Sequence, residues 1–150
     1  MLASCALVLL GACDPVFYMN VRQPLSPVPA PDCLERALAA SPRVRELEPR
    51  ADRREPGFYV TLRDTMVSMR PWTGHVTRRP AVDSIGEVVT MTYAWMGYNS
   101  PPPQQRTKMR AVAEAVLAEV RAACAPTSPL ATECEVTGAL LPPRACGSTA

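Results

Sequence analysis

Between residues 104 and 124 the apolar side chains Met109, Val112, Ala113, Val116, Leu117, Val120 and Cys124 recur at spacings of three and four, with Arg106, Lys108, Arg110, Glu114, Glu119 and Arg121 on the remaining positions. That is the period of an amphipathic helix with one buried stripe. Pro126 ends it. Burying the five larger stripe residues contributes about 1.5 to 3 kcal/mol each before the entropy of ordering is subtracted, so this face requires a sheet to lie on. A shorter helix is expected after Pro31. Asp32 and Glu35 have the spacing of a capping box, Leu34, Ala37, Leu38 and Ser41 share a face beside Cys33, and Pro42 stops the run.

Other segments alternate. Residues 87–96 are β-branched and aromatic throughout and give the strongest strand, expected at the centre of the sheet. Phe58, Val60 and Leu62 point one way while Tyr59, Thr61 and Arg63 point the other, the period-two signature of a half-buried strand. Residues 44–48 form a charged edge strand, joined to the previous one as a hairpin through the Glu55-Pro56-Gly57 turn. Met66 to Met69 either continue that strand or form another, and residues 70–86, with Pro71, Gly74, Pro80 and Gly86, read as an irregular excursion. The expected fold is α+β: a small antiparallel sheet of two to four strands with two helices packed on one face, in the order α-β-β-(β)-α. The domain occupies residues 32–125, and residues 126–150 form a tail with too few large apolar residues to fold without help.

Residues 1–12 carry no charged side chain, and Leu2, Ala3 and Ala6 to Leu10 make an apolar block that ends before Asp14 and Pro15. The block is too short to span a bilayer, which takes about 20 apolar residues, and has the length of a signal-peptide core. Its end, Leu10-Gly11-Ala12-Cys13, resembles a bacterial lipobox. The resemblance covers this tip alone. It implies cleavage before Cys13, a diacylglycerol on the Cys13 thiol, acylation of the new amine, and a protein held to a membrane of the cell envelope, facing the periplasm. Two or more acyl chains hold firmly where one holds weakly. Asp14 resembles the inner-membrane retention signal of enteric bacteria, and the choice between inner and outer membrane stays open. No Lys or Arg precedes the block, which is explained if Met1 is an internal start. The alternative is a buried apolar N-terminal element.

Residues 13–31 then read as a Pro-rich tether, with Pro15, Pro24, Pro27, Pro29 and Pro31. In polyproline II it would reach up to about 50 Å at about 3.1 Å per residue. Within it, Val16-Phe17-Tyr18-Met19-Asn20-Val21 is rich in strand formers, and its expected place is docked on the domain.

Removing the leader leaves about 138 residues, enough for one domain. With 16 basic and 14 acidic side chains the net charge is +2, which argues against a nucleic-acid partner. Cys5 departs with the leader and Cys13 is committed to lipid, leaving Cys33, Cys124, Cys134 and Cys146. In an exported chain four thiols predict two disulfides with three possible connectivities. Cys33–Cys124 and Cys134–Cys146 are favoured, because antiparallel helices bring the start of the first beside the end of the last, and the second pair closes a local loop in the tail.

Candidate chemistry is sparse. His75 is the single histidine and no Cys-x-x-Cys occurs, so no metal and no cofactor is expected. His75 could join Asp83 and Ser84, or Asp64 and Ser68, but no Gly-x-Ser-x-Gly surrounds them, and no catalytic residue is assigned. Glu46, Glu48, Asp52 and Glu55 read as a solvated edge. Arg53-Arg54 and Arg78-Arg79 lie in expected loops that could meet anionic headgroups. Trp95, in the run from Tyr93 to Tyr98, fills the core or contacts a partner, while Trp72 and Tyr98, beside loops, could form an exposed aromatic patch. The expectation is a lipid-anchored envelope protein whose domain binds or braces another envelope protein. The alternatives are an envelope enzyme acting on cell-wall or small-molecule substrates, or an inhibitor or immunity-type module that uses the 70–86 loop.

Overall fold

Along the strand from Val88 to Met96, alternate residues Val89, Met91, Tyr93 and Trp95 have no exposed surface, as the pleat of a strand with one covered face requires. Phe17, Met19 and Val21 are likewise buried on a neighbouring strand. A computed structural model describes residues 16–50, 57–63, 75–76, 79–97, 99–138 and 141–147. Their elements are β1 (Val16–Pro24), α1 (Pro31–Ala40), β2 (Val44–Pro49), β3 (Gly57–Leu62), β4 (His75–Val76), β5 (Ala81–Ile85), β6 (Val88–Met96), α2 (Pro103–Cys124), β7 (Glu133–Gly138) and β8 (Leu141–Ala145). The strands pair antiparallel in the order β2-β3-β5-β6-β1-β7-β8, and β4 pairs with the end of β6.

Both helices cover one face. The stripe of α2 (Met109, Ala113, Val116, Leu117 and Val120) and Leu34, Ala37 and Leu38 of α1 join Met19, Val21, Met91 and Tyr93 in a single core. Val112 is only half-buried at the stripe's margin. The buried Tyr93 hydroxyl donates to the Met109 carbonyl at 3.0 Å, tying the central strand to α2, and burial drives its pKa far above the ordinary phenol value. Cys33–Cys124 and Cys134–Cys146 stand at disulfide distance, with Cα separations of 5.9 and 5.4 Å, in the two favoured pairs. The first joins the start of α1 to the end of α2.

The α+β class and the central place of β6 match expectation, but among the described residues the sheet has eight strands rather than two to four, and a strand precedes the first helix. The stretch read as the beginning of a tether is β1, hydrogen-bonded on both sides by β6 and β7. Its prolines fall at the boundary and beyond, with Pro24 the last strand residue, so the interior ladder keeps its donors. The stretch read as irregular contains β5, whose first four residues are buried. It turns into β6 through Gly86 and Glu87, with Gly86 at φ 57°, a left-handed conformation that costs glycine little. The expected capping box does not form. Pro31 opens α1 after Ala30, no side chain caps the helix, and Asp32 lies inside the first turn. There its charge complements the helix dipole. The tail forms the β7–β8 hairpin on the β1 flank, closed by Cys134–Cys146.

Glu114 on α2 links that hairpin to the helix. Arg110 donates to its Oε1 at 2.7 Å, and the Thr132 hydroxyl donates to the same oxygen at 2.7 Å. Burial raises the carboxyl's pKa, but the two hydrogen bonds and the Arg110 charge outweigh it and hold the group below its ordinary value. A depressed folded value means that the stabilisation is complete above the unfolded value of about 4.3 and is lost as pH falls through the folded one. Glu114→Gln should therefore be less stable than the parent at pH 7 and nearly equal to it at pH 3, as read by denaturant unfolding at both.

Candidate functional site

The strand residues that alternate with the core set point to the other face, which no described element covers. On β1 these are Tyr18, Asn20 and Arg22, and on β6 Thr90, Thr92 and Ala94. The sheet's edges are less hospitable to a partner. Edge strand β2 is Val-Arg-Glu-Leu-Glu-Pro, and β8 carries Pro142 and Pro143, which lack N–H donors. Charge and proline on edge strands oppose the addition of a further strand.

The register shapes the open face. Tyr59 on β3 lies opposite Ala81 on β5, and Tyr18 on β1 lies opposite Ala94 on β6. Two small residues on the middle strands thus sit between tyrosines on the flanking ones. With neighbouring strands about 4.8 Å apart, the tyrosine strands are about 14 Å apart. The result is a hollow of about 430 Å³, also lined by Asn20, Thr92 and Thr137. Tyr18 is 46 % exposed at its side. The Thr92 hydroxyl donates to Asn20 Oδ1 at 2.9 Å, which fixes the polar strip along its floor.

A buried ion pair underlies the β3 side. Arg50 Nη1 is 2.8 Å from Asp83 Oδ2, and the two side chains are only 9 % and 8 % exposed. The Arg50 guanidinium also lies 4.9 Å from the Tyr59 ring centroid, with the Arg79 guanidinium 5.9 Å from it, so two cations hold the ring. Arg79 pairs in turn with Glu48 of β2. Each cation is matched by a carboxylate. Among the described residues the hollow therefore presents hydrogen-bonding groups and ring surface, with each of its two cations paired to a carboxylate.

Gly57 makes room for this pair. A Cβ built there would lie 2.2 Å from Asp83 Oδ1 and 3.4 Å from Arg50 Cδ. The Asp83 side chain is short, buried and held by Arg50, so it cannot move aside without loosening the pair. Gly57→Ala should cost about 1 to 3 kcal/mol, the usual range for overpacking, measured by denaturant unfolding.

Of the residues expected from sequence to contact a partner, Trp95 is described, and it does not line this hollow. Trp95, considered as a partner contact, is a core residue with no exposed surface, and its indole Nε1 donates to the Asn99 carbonyl at 3.2 Å. Burial inside the helix-covered face removes it from any surface patch. Cys13, Trp72 and Tyr98 lie outside the described residues, as do residues 1–12, Asp52 to Glu55, Asp64, Met66 to Met69 and Arg78. His75 is placed by its backbone in β4 opposite Met96, while Asp83 and Ser84 are buried in β5. Among the described residues no group of three His, Cys, Asp or Glu side chains could hold a metal, and no helix is long and apolar enough to cross a membrane. Sequence reading missed Tyr18, Arg50, Tyr59 and Asp83 as a set. The available signal was the outward phase of Tyr59 in its alternating strand, but nothing local shows that Ala81 faces it. No protein-family model, no curated protein and no solved structure matches the chain.

Proposed function

We propose that this chain is a lipid-anchored cell-envelope protein, acylated at Cys13, whose open sheet face binds another component of the envelope. The lipobox-like Leu10-Gly11-Ala12-Cys13 supports the anchor, and two disulfides suit an oxidising compartment outside the cytoplasm. The observation that carries the binding role is the hollow between Tyr18 and Tyr59, whose cations are each paired with a carboxylate. Concave sites with a few fixed polar groups and ring surface are the usual form of ligand pockets. Here the paired charges favour an uncharged, hydrogen-bonding ligand surface, such as a glycan or the polar backbone of a partner loop, over a strongly ionic one.

The test is recovery of partners by the intact acylated protein from detergent-solubilised envelopes, compared with the Tyr18→Ala/Tyr59→Ala variant. Aromatic anchors at the centre of a contact are worth about 2 kcal/mol or more each, so a specific partner should fall at least about tenfold in the variant. Equal recovery by parent and variant would remove the hollow from the function. Uptake of labelled palmitate by Cys13→Ser as efficient as by the parent would remove the anchor.

A further inference from the structure

We infer that the end of the sheet formed by Val16, Met96 and Gly138 is clamped against the lipid bilayer, so that the strands stand away from the membrane and the hollow opens beside it. The inference rests on acylation at Cys13 and adds an orientation to it. Only Asp14 and Pro15 separate that cysteine from β1, which begins at Val16. Three Cα steps of 3.80 Å reach at most about 11 Å. A tether spanning residues 13–31 would have reached several times as far.

The short reach holds only if β1 cannot give up its first residues, and the pairing prevents that. Val16 is opposite Met96 on one side, and Phe17 is opposite Trp95 and, on the other side, Gly138. Phe17 is buried. A Cβ on Gly138 would come within 2.8 Å of its ring, so ring and backbone are in close contact. Releasing these residues for slack would open the sheet between β6 and β7, at its middle.

Two consequences follow from where the chain enters. Tyr18 is five Cα steps from Cys13, at most about 19 Å, so a partner in the hollow is met close to the bilayer surface. The opposite end of the sheet, at Glu87 and Val88, is about 27 Å further along β6. That end faces away from the lipid.

The experiment uses full-length acylated protein in vesicles of phosphatidylethanolamine and phosphatidylglycerol that carry a nitroxide on a fraction of the headgroups. A fluorophore is attached in one variant at Asn99→Cys, just past the end of β6, and in another at Glu87→Cys; both positions are exposed. Quenching at least threefold greater at position 99 than at position 87 is expected. Inserting ten Gly/Ser residues between Asp14 and Pro15 should bring the two labels to equal quenching. Equal quenching without the insertion, in protein whose Cys13 peptide carries the acyl mass, overturns the clamp alone. A difference that survives the insertion overturns chain reach as its cause. A Cys13 peptide without acyl mass overturns the anchor and the clamp together.

Discussion

Replacing Cys33 and Cys124 together with alanine should lower the unfolding free energy by about 4.6 kcal/mol on the chain-entropy account of a cross-link. The bond spans 91 residues of sequence and carries most of the domain inside its loop. Cutting it releases the unfolded chain from that constraint while leaving the buried contacts of α1 and α2 in place. Since domains of this kind are stable by about 5 to 15 kcal/mol, the loss is a large share of the total. Equilibrium unfolding in urea is the measurement, with the midpoint falling and the slope rising as the unfolded ensemble expands.

The matching replacement of Cys134 and Cys146 gives the internal comparison. That loop has a separation of only 12 residues, for which the same account gives about 2.8 kcal/mol. The hairpin it closes lies at one edge and contributes few core residues, chiefly Val136 and Cys146. Its loss should show first as faster hydrogen exchange in β7 and β8.

The Cys33–Cys124 pairing was legible because the helices carrying it were, and Cys134–Cys146 followed as the local pair left in the tail, whose two strands were not legible. The stripe of α2 and the alternation of β3 and β6 are written in side chains that face one core, and such periodicity survives without knowledge of neighbours. β5 lacked that mark. Ala-Val-Asp-Ser-Ile reads as loop because Asp83 and Ser84 are polar, and it is a strand paired on both sides by β3 and β6, where Arg50, 33 positions away, compensates the buried Asp83. β1 was obscured by the prolines at and beyond its ends. The hollow was illegible for a further reason: it depends on which residue of β3 faces which residue of β5, and of β1 on β6. Register of that kind is a property of pairs of strands.

Asp83→Ala should cost about 3 to 5 kcal/mol, because removing one partner leaves the Arg50 charge buried without its carboxylate. A buried ion pair is a poor way to gain stability, however, since desolvating both charges offsets most of their attraction. Replacing both members at once, as Arg50→Met with Asp83→Leu, should therefore restore stability to within about 1 kcal/mol of the parent by the same reasoning. The two variants separate fold from function. If Arg50 and Asp83 serve only the fold, the double variant should recover partners as the parent does. If they hold Tyr59 and supply polar groups to the hollow, it should fold like the parent by urea unfolding and still lose partner recovery at least tenfold. The geometry favours the second outcome, because Arg50 joins the Asp83 carboxylate beneath the surface to the Tyr59 ring at the hollow's edge, and an apolar side chain can fill its volume without making either contact.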